Sequence, residues 1–113
     1  MSSPVMHFEI IGKDAIALQK FYADVFGWKL SPPVAEMGNY SMFDNQGKGI
    51  GGGIGEGDPR VSVYVSVHDP AAYMKEIEKA GGTMIMPVTR ITENVTIGMF
   101  KDIAGNIMGV MKA

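Results

Sequence analysis

Alternating apolar and polar positions predict a first strand from Val5 to Ile11, and the strand ends at Gly12. Asp14 suits a helix N-cap, and the following segment, AIALQKFYADVF, carries apolar residues at helical spacing. Gly27 suits the left-handed conformation that often ends a helix. Short strands are predicted over 28–30, 40–44 and 49–54, separated by turns rich in proline, glycine and asparagine.

The same order of elements returns in the second half of the chain. A strand is predicted from Arg60 to Val67, and Asp69 is the next helix N-cap. Pro70 takes the first helical position, where its missing N–H costs nothing. Three further strands are predicted at about 83–87, 94–100 and 106–112. Each half of the chain is therefore predicted to contain a strand, then a helix, then three further strands.

Landmark residues repeat at a kept spacing, which is hard to obtain by chance. The repeat pairs Asp14, Gly27 and Pro32 with Asp69, Gly82 and Pro87, and it pairs Met42 with Met99. We interpret the 113 residues as a single α+β domain made of two βαβββ modules. The predicted bounds are 4–54 for module one and 60–112 for module two, with a glycine-rich hinge at 55–59.

The two first strands each predict one apolar face and one mixed face. In the first strand His7 and Glu9 lie opposite the face that carries Phe8. In its repeat Ser62 and Tyr64 lie opposite a row of four valines. We expect the apolar faces to pack on the helices. The mixed faces then either line a cavity or point to solvent.

Composition removes several function classes. The formal net charge is −2 and no basic block occurs, so neither nucleic acid nor a membrane surface is expected as a partner. The absence of cysteine excludes disulfides, thiolate metal sites and cysteine nucleophiles. We expect a cytoplasmic protein, because no apolar run of membrane-spanning length occurs. Ten methionines either fill gaps in the core or line an adaptable pocket.

Several segments resemble the vicinal oxygen chelate superfamily, which includes glyoxalase I, bleomycin-resistance proteins, extradiol dioxygenases and methylmalonyl-CoA epimerase. The segments are HFEI, FYADVFGW and VYVSVHDP, followed by KDIAGN near the end of the chain. The resemblance covers nearly the whole chain. It implies two βαβββ modules that form an incomplete barrel around a cavity, and it implies a homodimer.

The resemblance also implies where metal ligands would lie, in the first and last strands of each module. His7 matches the histidine position of the first strand. The other three positions fall on Ser62, Gly51 and Gly109, which are poor ligands or have no side chain. A catalytic divalent metal needs about three protein ligands. We therefore expect no metal and no other cofactor, with a divalent metal at His7 as the alternative.

The favoured function is a small-molecule binding protein of the glyoxalase/bleomycin-resistance type with a degenerate metal site. It would hold a largely apolar ligand in the cavity between the modules, where Gly51 and Gly109 leave an open floor. The alternative is a lyase, isomerase or dioxygenase-like enzyme that uses His7 and Glu9 as an acid–base pair, with or without a divalent metal. An interaction module without a ligand is the third interpretation. The remaining candidate ligand contacts, each of which also suits ordinary core packing, are Ser62, Tyr64, Trp28, Met42 and Met99.

Overall fold

The structure is a computed structural model that describes residues 2–113. It separates into two compact units. We call His7–Val61 the N-terminal unit, and Ser62–Ala113 together with residues 2–6 the C-terminal unit. The Pro4 carbonyl accepts a 2.8 Å hydrogen bond from the Ser66 amide, which ties the start of the chain to the C-terminal unit.

The first βαβββ module has its helix where the capping residues predict it. The Asp14 side chain accepts a 3.1 Å hydrogen bond from the Ala17 amide, and Gly27 ends the helix at a φ of 67°. The elements are β1 (Val5–Gly12), α1 (Ala15–Phe26), β2 (Lys29–Leu30), β3 (Ser41–Asp44) and β4 (Gly51–Glu56). In the sheet the strands lie in the order β2-β3-β4-β1, and β1 runs parallel to β4.

The second module repeats this arrangement. The elements are β5 (Arg60–Val67), α2 (Pro70–Lys79), β6 (Thr83–Thr92), β7 (Val95–Lys101) and β8 (Ile107–Lys112). The strands lie in the order β6-β7-β8-β5, which corresponds to the order of the first module, and β5 runs parallel to β8. The predicted α+β class with two βαβββ modules is therefore confirmed. Strand β4 continues through Glu56, so the start of the predicted hinge is strand.

The later part of the valine face of β5 packs on α2, as the alternation predicts, whereas Val61 at the start of the strand has 71% of its surface exposed. Val67, Met74 and Val110 form the buried core of the C-terminal unit, and Val65 and Ile77 pack against them. The opposite side of α2 is exposed, including Tyr73. None of the helices in residues 2–113 is long and apolar enough to cross a membrane.

Helix α1 packs on the sheet with a different side from the one that its apolar residues predict. Phe21 and Val25 have 54% and 57% of their surface exposed, whereas Ala15 and the polar Gln19 are buried. The small Ala15 lets the helix approach the sheet closely. Gln19 is accommodated because its amide donates hydrogen bonds to two main-chain carbonyls, those of Asn39 and Ile54. A buried polar group that makes such bonds carries little penalty.

Candidate functional site

The sheet of the N-terminal unit has two chemically distinct faces. On one face Phe8 lies against Gly52 of β4, and a cluster of aromatic rings covers it. Trp28 belongs to this cluster, with ring centroids 5.1 Å from Tyr22 of α1 and 4.3 Å from Phe43. Since His7 alternates with Phe8 along β1, Trp28 lies on the opposite side of the sheet from His7. The structure therefore places Trp28 among packed rings and not beside the candidate polar residues.

The other face carries His7 and Glu9, which are paired in register with Gly51 and Gly53 of β4. His7 Nε2 and the Tyr40 hydroxyl share a 3.0 Å hydrogen bond. Glu9 is buried and forms a 2.8 Å ion pair with Arg60. Burial lowers the pKa of His7 below its ordinary value of 6.5, and the nearby Glu9 carboxylate offsets part of that effect. The environment of His7 therefore favours the neutral imidazole.

The ring of Tyr40 covers two of the β4 glycines. A Cβ at Gly53 would lie 2.2 Å from the ring, and one at Gly55 would lie 2.6 Å from it. Because real side-chain contacts are never this short, only glycine fits under the ring at these positions. The main chain before Tyr40 is fixed by the 2.7 Å hydrogen bond that Gln19 Nε2 donates to the Asn39 carbonyl. Helix α1 thus positions the phenol that contacts His7.

Gly51 differs from the other β4 glycines. A Cβ built on Gly51 would have no atom of the described chain within 4 Å, apart from its own chain neighbours. Gly51 is only half-buried and pairs directly with His7. Met42 lies on the same face, since it pairs with Gly53, and half of its surface is exposed. The N-terminal unit therefore brings together an open backbone position, a neutral imidazole and an exposed thioether.

The C-terminal unit places the remaining candidates in one row across its sheet. Tyr64, Gly109 and Met99 are in register on β5, β8 and β7. The Tyr64 ring would lie 2.3 Å from a Cβ at Gly109. The open floor expected at Gly109 is therefore absent, because the ring occupies that space. Ser62 shares the face and is buried, and its hydroxyl donates a 2.6 Å hydrogen bond to the Ile107 carbonyl.

The register within each unit also corrects one repeat pair. Met42 pairs with Gly53 in the first module, as Met99 pairs with Gly109 in the second. The counterpart of Gly109 in the first module is therefore Gly53. The spacing of the sequence repeat instead pairs Gly109 with Gly51, which lies two residues earlier. The spacing misleads because the β3–β4 and β7–β8 connections differ in length. The equivalence of Met42 and Met99 is confirmed.

The residues present do not fit a catalytic divalent-metal site. Within residues 2–113, no three histidine, aspartate or glutamate side chains gather where they could hold a metal ion. The carboxylate of Glu9 faces the Arg60 guanidinium, and a metal ion bound to Glu9 would have to displace that guanidinium. The corrected pseudo-equivalent positions, Gly53 and Gly109, lie under tyrosine rings and provide no ligand. We derive no chemical step from a metal.

Three contributors to this face were not identified as site residues from the sequence: Tyr40, Arg60 and Gln19. The alternation of Tyr40 with Met42 at the start of β3 could have indicated that the phenol shares the face of the β4 glycines. Gln19 carried no comparable signal, because a polar residue on a helix is normally interpreted as exposed. Arg60 stands at the start of β5, where a charged residue is ordinary.

A family model gives the first comparison with known proteins. Residues 5–44 match the model described as "Bleomycin resistance protein-like N-terminal". The matched segment contains β1, α1 and β3 of the first module, and so includes His7 and Tyr40. No curated protein sequence matches this chain significantly.

Solved structures share the fold over the whole chain at low sequence identity. Methylmalonyl-CoA epimerase from Mycobacterium tuberculosis aligns with a TM-score of 0.72 at 15% identity, covering 99% of this chain and 91% of that one. A variant of Streptomyces coelicolor methylmalonyl-CoA epimerase, in complex with 2-nitronate-propionyl-CoA, aligns at 0.69 and 16% identity, covering 100% and 99%. A glyoxalase/bleomycin resistance protein/dioxygenase superfamily member from Vibrio splendidus aligns at 0.69 and 13% identity, covering 99% and 100%. These structures confirm the fold that the resemblance to the vicinal oxygen chelate superfamily implies.

Proposed function

We propose that this protein binds a small, largely apolar organic molecule reversibly and without a metal, on the His7 face of its N-terminal unit. The observation that carries the proposal is the opening at Gly51. On a strand whose other glycines lie under aromatic rings, this position alone leaves its backbone accessible beside His7. A glycine without a neighbouring side chain allows a ligand to approach the backbone closely.

The groups around the opening suit a ligand that is apolar in most of its surface and polar at one end. Met42 is half-exposed on this face, and a flexible thioether adapts to different apolar shapes. The His7 imidazole and the Tyr40 hydroxyl provide hydrogen-bonding atoms at the edge of the opening. A few placed polar groups beside apolar side chains are the usual composition of a small-molecule site.

A thermal-shift screen of hydrophobic metabolites and drugs tests this function. We expect compounds that raise the melting temperature of the wild type equally with and without a chelator. The variant Gly51→Leu should fill the opening and lose the response. Ala71→Leu places the same leucine side chain at an exposed position of α2 and should keep the response. Stabilisation that disappears with the chelator would contradict a metal-independent site.

One observation favours an enzyme as the second candidate. Burial lowers the pKa of His7, and a neutral imidazole that contacts a phenol can accept a proton from a carbon acid. Two of the structural neighbours are named as epimerases that act on an acyl-CoA ester, methylmalonyl-CoA. The second candidate is therefore a proton-transferring isomerase with His7 as the base.

Solvent deuterium incorporation distinguishes an enzyme from a binding protein. The protein is incubated with methylmalonyl-CoA in D2O, and exchange at the carbon between the two carbonyl groups is followed by NMR. An isomerase gives exchange that exceeds the rate without protein and is lost in His7→Gln. Exchange that survives in His7→Gln would exclude His7 as the base, and His68→Gln serves as the matched control.

A further inference from the structure

A second groove lies in the C-terminal unit, on the side of its sheet that packs against α2. Arg90 and Thr96 are paired in register across β6 and β7. Lys112 follows directly after the pair that Met111 of β8 makes with Ile97, so it extends the same row. On this side of the sheet, Val110 and Gly98 are the last positions that pack against Met74. Lys112 lies two residues after Val110, and Thr96 lies two residues before Gly98. The packed face of the sheet therefore continues into a polar row.

The groove over this row has a volume of about 460 Å³, within the usual size range of small-molecule sites. Its lining residues are Arg90, Glu93, Asn94, Thr96, Lys112 and Ala113. Among the described residues, the Arg90 guanidinium makes one hydrogen bond, a long one of 3.4 Å to the Glu93 carbonyl. A cavity of this size, with exposed cations on two of its strands, is suited to a charged ligand.

Most of the donor capacity around the groove is unused within residues 2–113. In the part of the chain that the structure describes, neither Arg90 nor Lys112 has an acidic partner within 4.0 Å. Within the same residues, the Thr96 hydroxyl and the Asn94 side-chain amide have no hydrogen-bond partner. Two cations and two neutral donors thus converge on one groove, and Glu93 is the one acidic side chain that lines it.

We propose that this groove binds the oxyanion group, a phosphate or a carboxylate, of a small molecule. A guanidinium can donate two parallel hydrogen bonds to such a group, and an ammonium adds a point charge. The Thr96 and Asn94 donors complete the contacts to the oxyanion oxygens. Glu93 accepts a hydrogen bond from a neighbouring hydroxyl or amine of the same ligand. The lining residues of the groove include none of the residues of the His7 face, so neither proposal depends on the other.

An NMR titration of the labelled wild-type protein with inorganic phosphate, and separately with malonate, tests the site at constant ionic strength. We expect saturable shifts at the amides of Arg90, Thr96 and Lys112. The double variant Arg90→Gln, Lys112→Gln should bind at least tenfold more weakly. Lys101→Gln removes a cation at the far end of β7 and should bind like the wild type. Glu93→Gln should bind more tightly, because it removes the opposing charge.

The two arms also identify the source of the oxyanion. Tighter binding of phosphate than of malonate assigns the groove to phosphate esters, and the reverse order assigns it to carboxylates. Equal shifts with potassium chloride at the same ionic strength would overturn the proposal. Binding in the double variant that matches the wild type would overturn it as well, and the gain in Glu93→Gln remains informative if the double variant folds poorly.

Discussion

The phenol ring of Tyr40 lies directly on the backbone of Gly53, so close that a Cβ there would stand 2.2 Å from the ring. This contact fixes the position of the hydroxyl that hydrogen-bonds to His7. It also divides the β4 glycines into covered positions and the one open position, Gly51. The candidate site depends on this division.

We predict that Gly53→Ala destabilises the protein and Gly51→Ala does not. At Gly53 the new methyl group would displace the Tyr40 ring, and overpacking of this kind costs about 1–3 kcal/mol. At Gly51 the methyl group meets open space. Alanine has less backbone entropy to lose on folding than glycine, so Gly51→Ala should stabilise the folded protein by about 0.5–1 kcal/mol. Urea unfolding of both variants measures the difference. Equal stabilities would show that Tyr40 does not cover Gly53.

Gln19 should be a stabilising residue despite its polarity. Its amide donates hydrogen bonds of 2.7 Å and 2.9 Å to the carbonyls of Asn39 and Ile54. Gln19→Met keeps the length of the side chain but leaves these carbonyls without their donor, at a cost of about 1–3 kcal/mol. Lys20→Met, at the exposed neighbouring position, is the control: it loses an exposed ion pair with Asp24, which contributes little, and should unfold nearly like the wild type. A variant Gln19→Met of wild-type stability would contradict this role.

Two equally buried serines should respond in opposite ways to alanine substitution. Ser41 and Ser62 each have 1% of their surface exposed. The Ser41 hydroxyl has no hydrogen-bond partner in residues 2–113, whereas the Ser62 hydroxyl donates to the Ile107 carbonyl at 2.6 Å. Ser41→Ala should therefore raise the free energy of unfolding by about 1 kcal/mol, and Ser62→Ala should lower it by about the same amount. Thermal or urea unfolding gives the sign directly, and a loss of stability in Ser41→Ala would be contrary to the prediction.

The lowered pKa of His7 predicts a loss of stability in mild acid. Burial disfavours the imidazolium, so the unfolded chain, whose histidine has an ordinary pKa of 6.5, binds the proton more readily than the folded one. The contribution of neutral His7 to the free energy of unfolding is therefore fully present above pH 6.5. It is lost as the pH falls from 6.5 through the lower pKa of the folded state. The measurement is urea unfolding of the wild type and His7→Gln across this range.

The variant His7→Gln should lose this part of the pH dependence, and His68→Gln should keep it. An NMR titration of the His7 ring in the folded protein supplies an independent check. A midpoint at or above 6.5 would contradict the burial that the structure shows.

Local sequence signals predicted much of the fold. The caps at Asp14 and Asp69 depend on neighbouring residues, and both are confirmed. The valine face of β5 follows from simple alternation and is confirmed at Val65 and Val67, whereas Val61 is exposed. The rotation of α1 was not predictable, because it depends on the long-range hydrogen bond from Gln19 to the Ile54 carbonyl. The rotation leaves Phe21 exposed, although its apolar character predicts burial.

The candidate site was predicted in part. The shared face of His7 and Glu9 follows from alternation along one strand and is confirmed by the register with β4. Tyr40 was not identified as a site residue, because its position depends on the register between β3 and β4, which sequence spacing does not fix. The homodimer, the cytoplasmic location and the absence of a cofactor stay predictions.

The ligand site at Gly51 is tested directly by the affinity of the best ligand from the thermal-shift screen. Calorimetry measures this affinity for the wild type, Gly51→Leu and Ala71→Leu. We predict that Gly51→Leu weakens binding at least tenfold, which corresponds to about 1.4 kcal/mol. The Ala71→Leu control should retain the wild-type affinity, since it adds its side chain on exposed α2. A dissociation constant that is the same for all three proteins would contradict a ligand site at Gly51 beside His7.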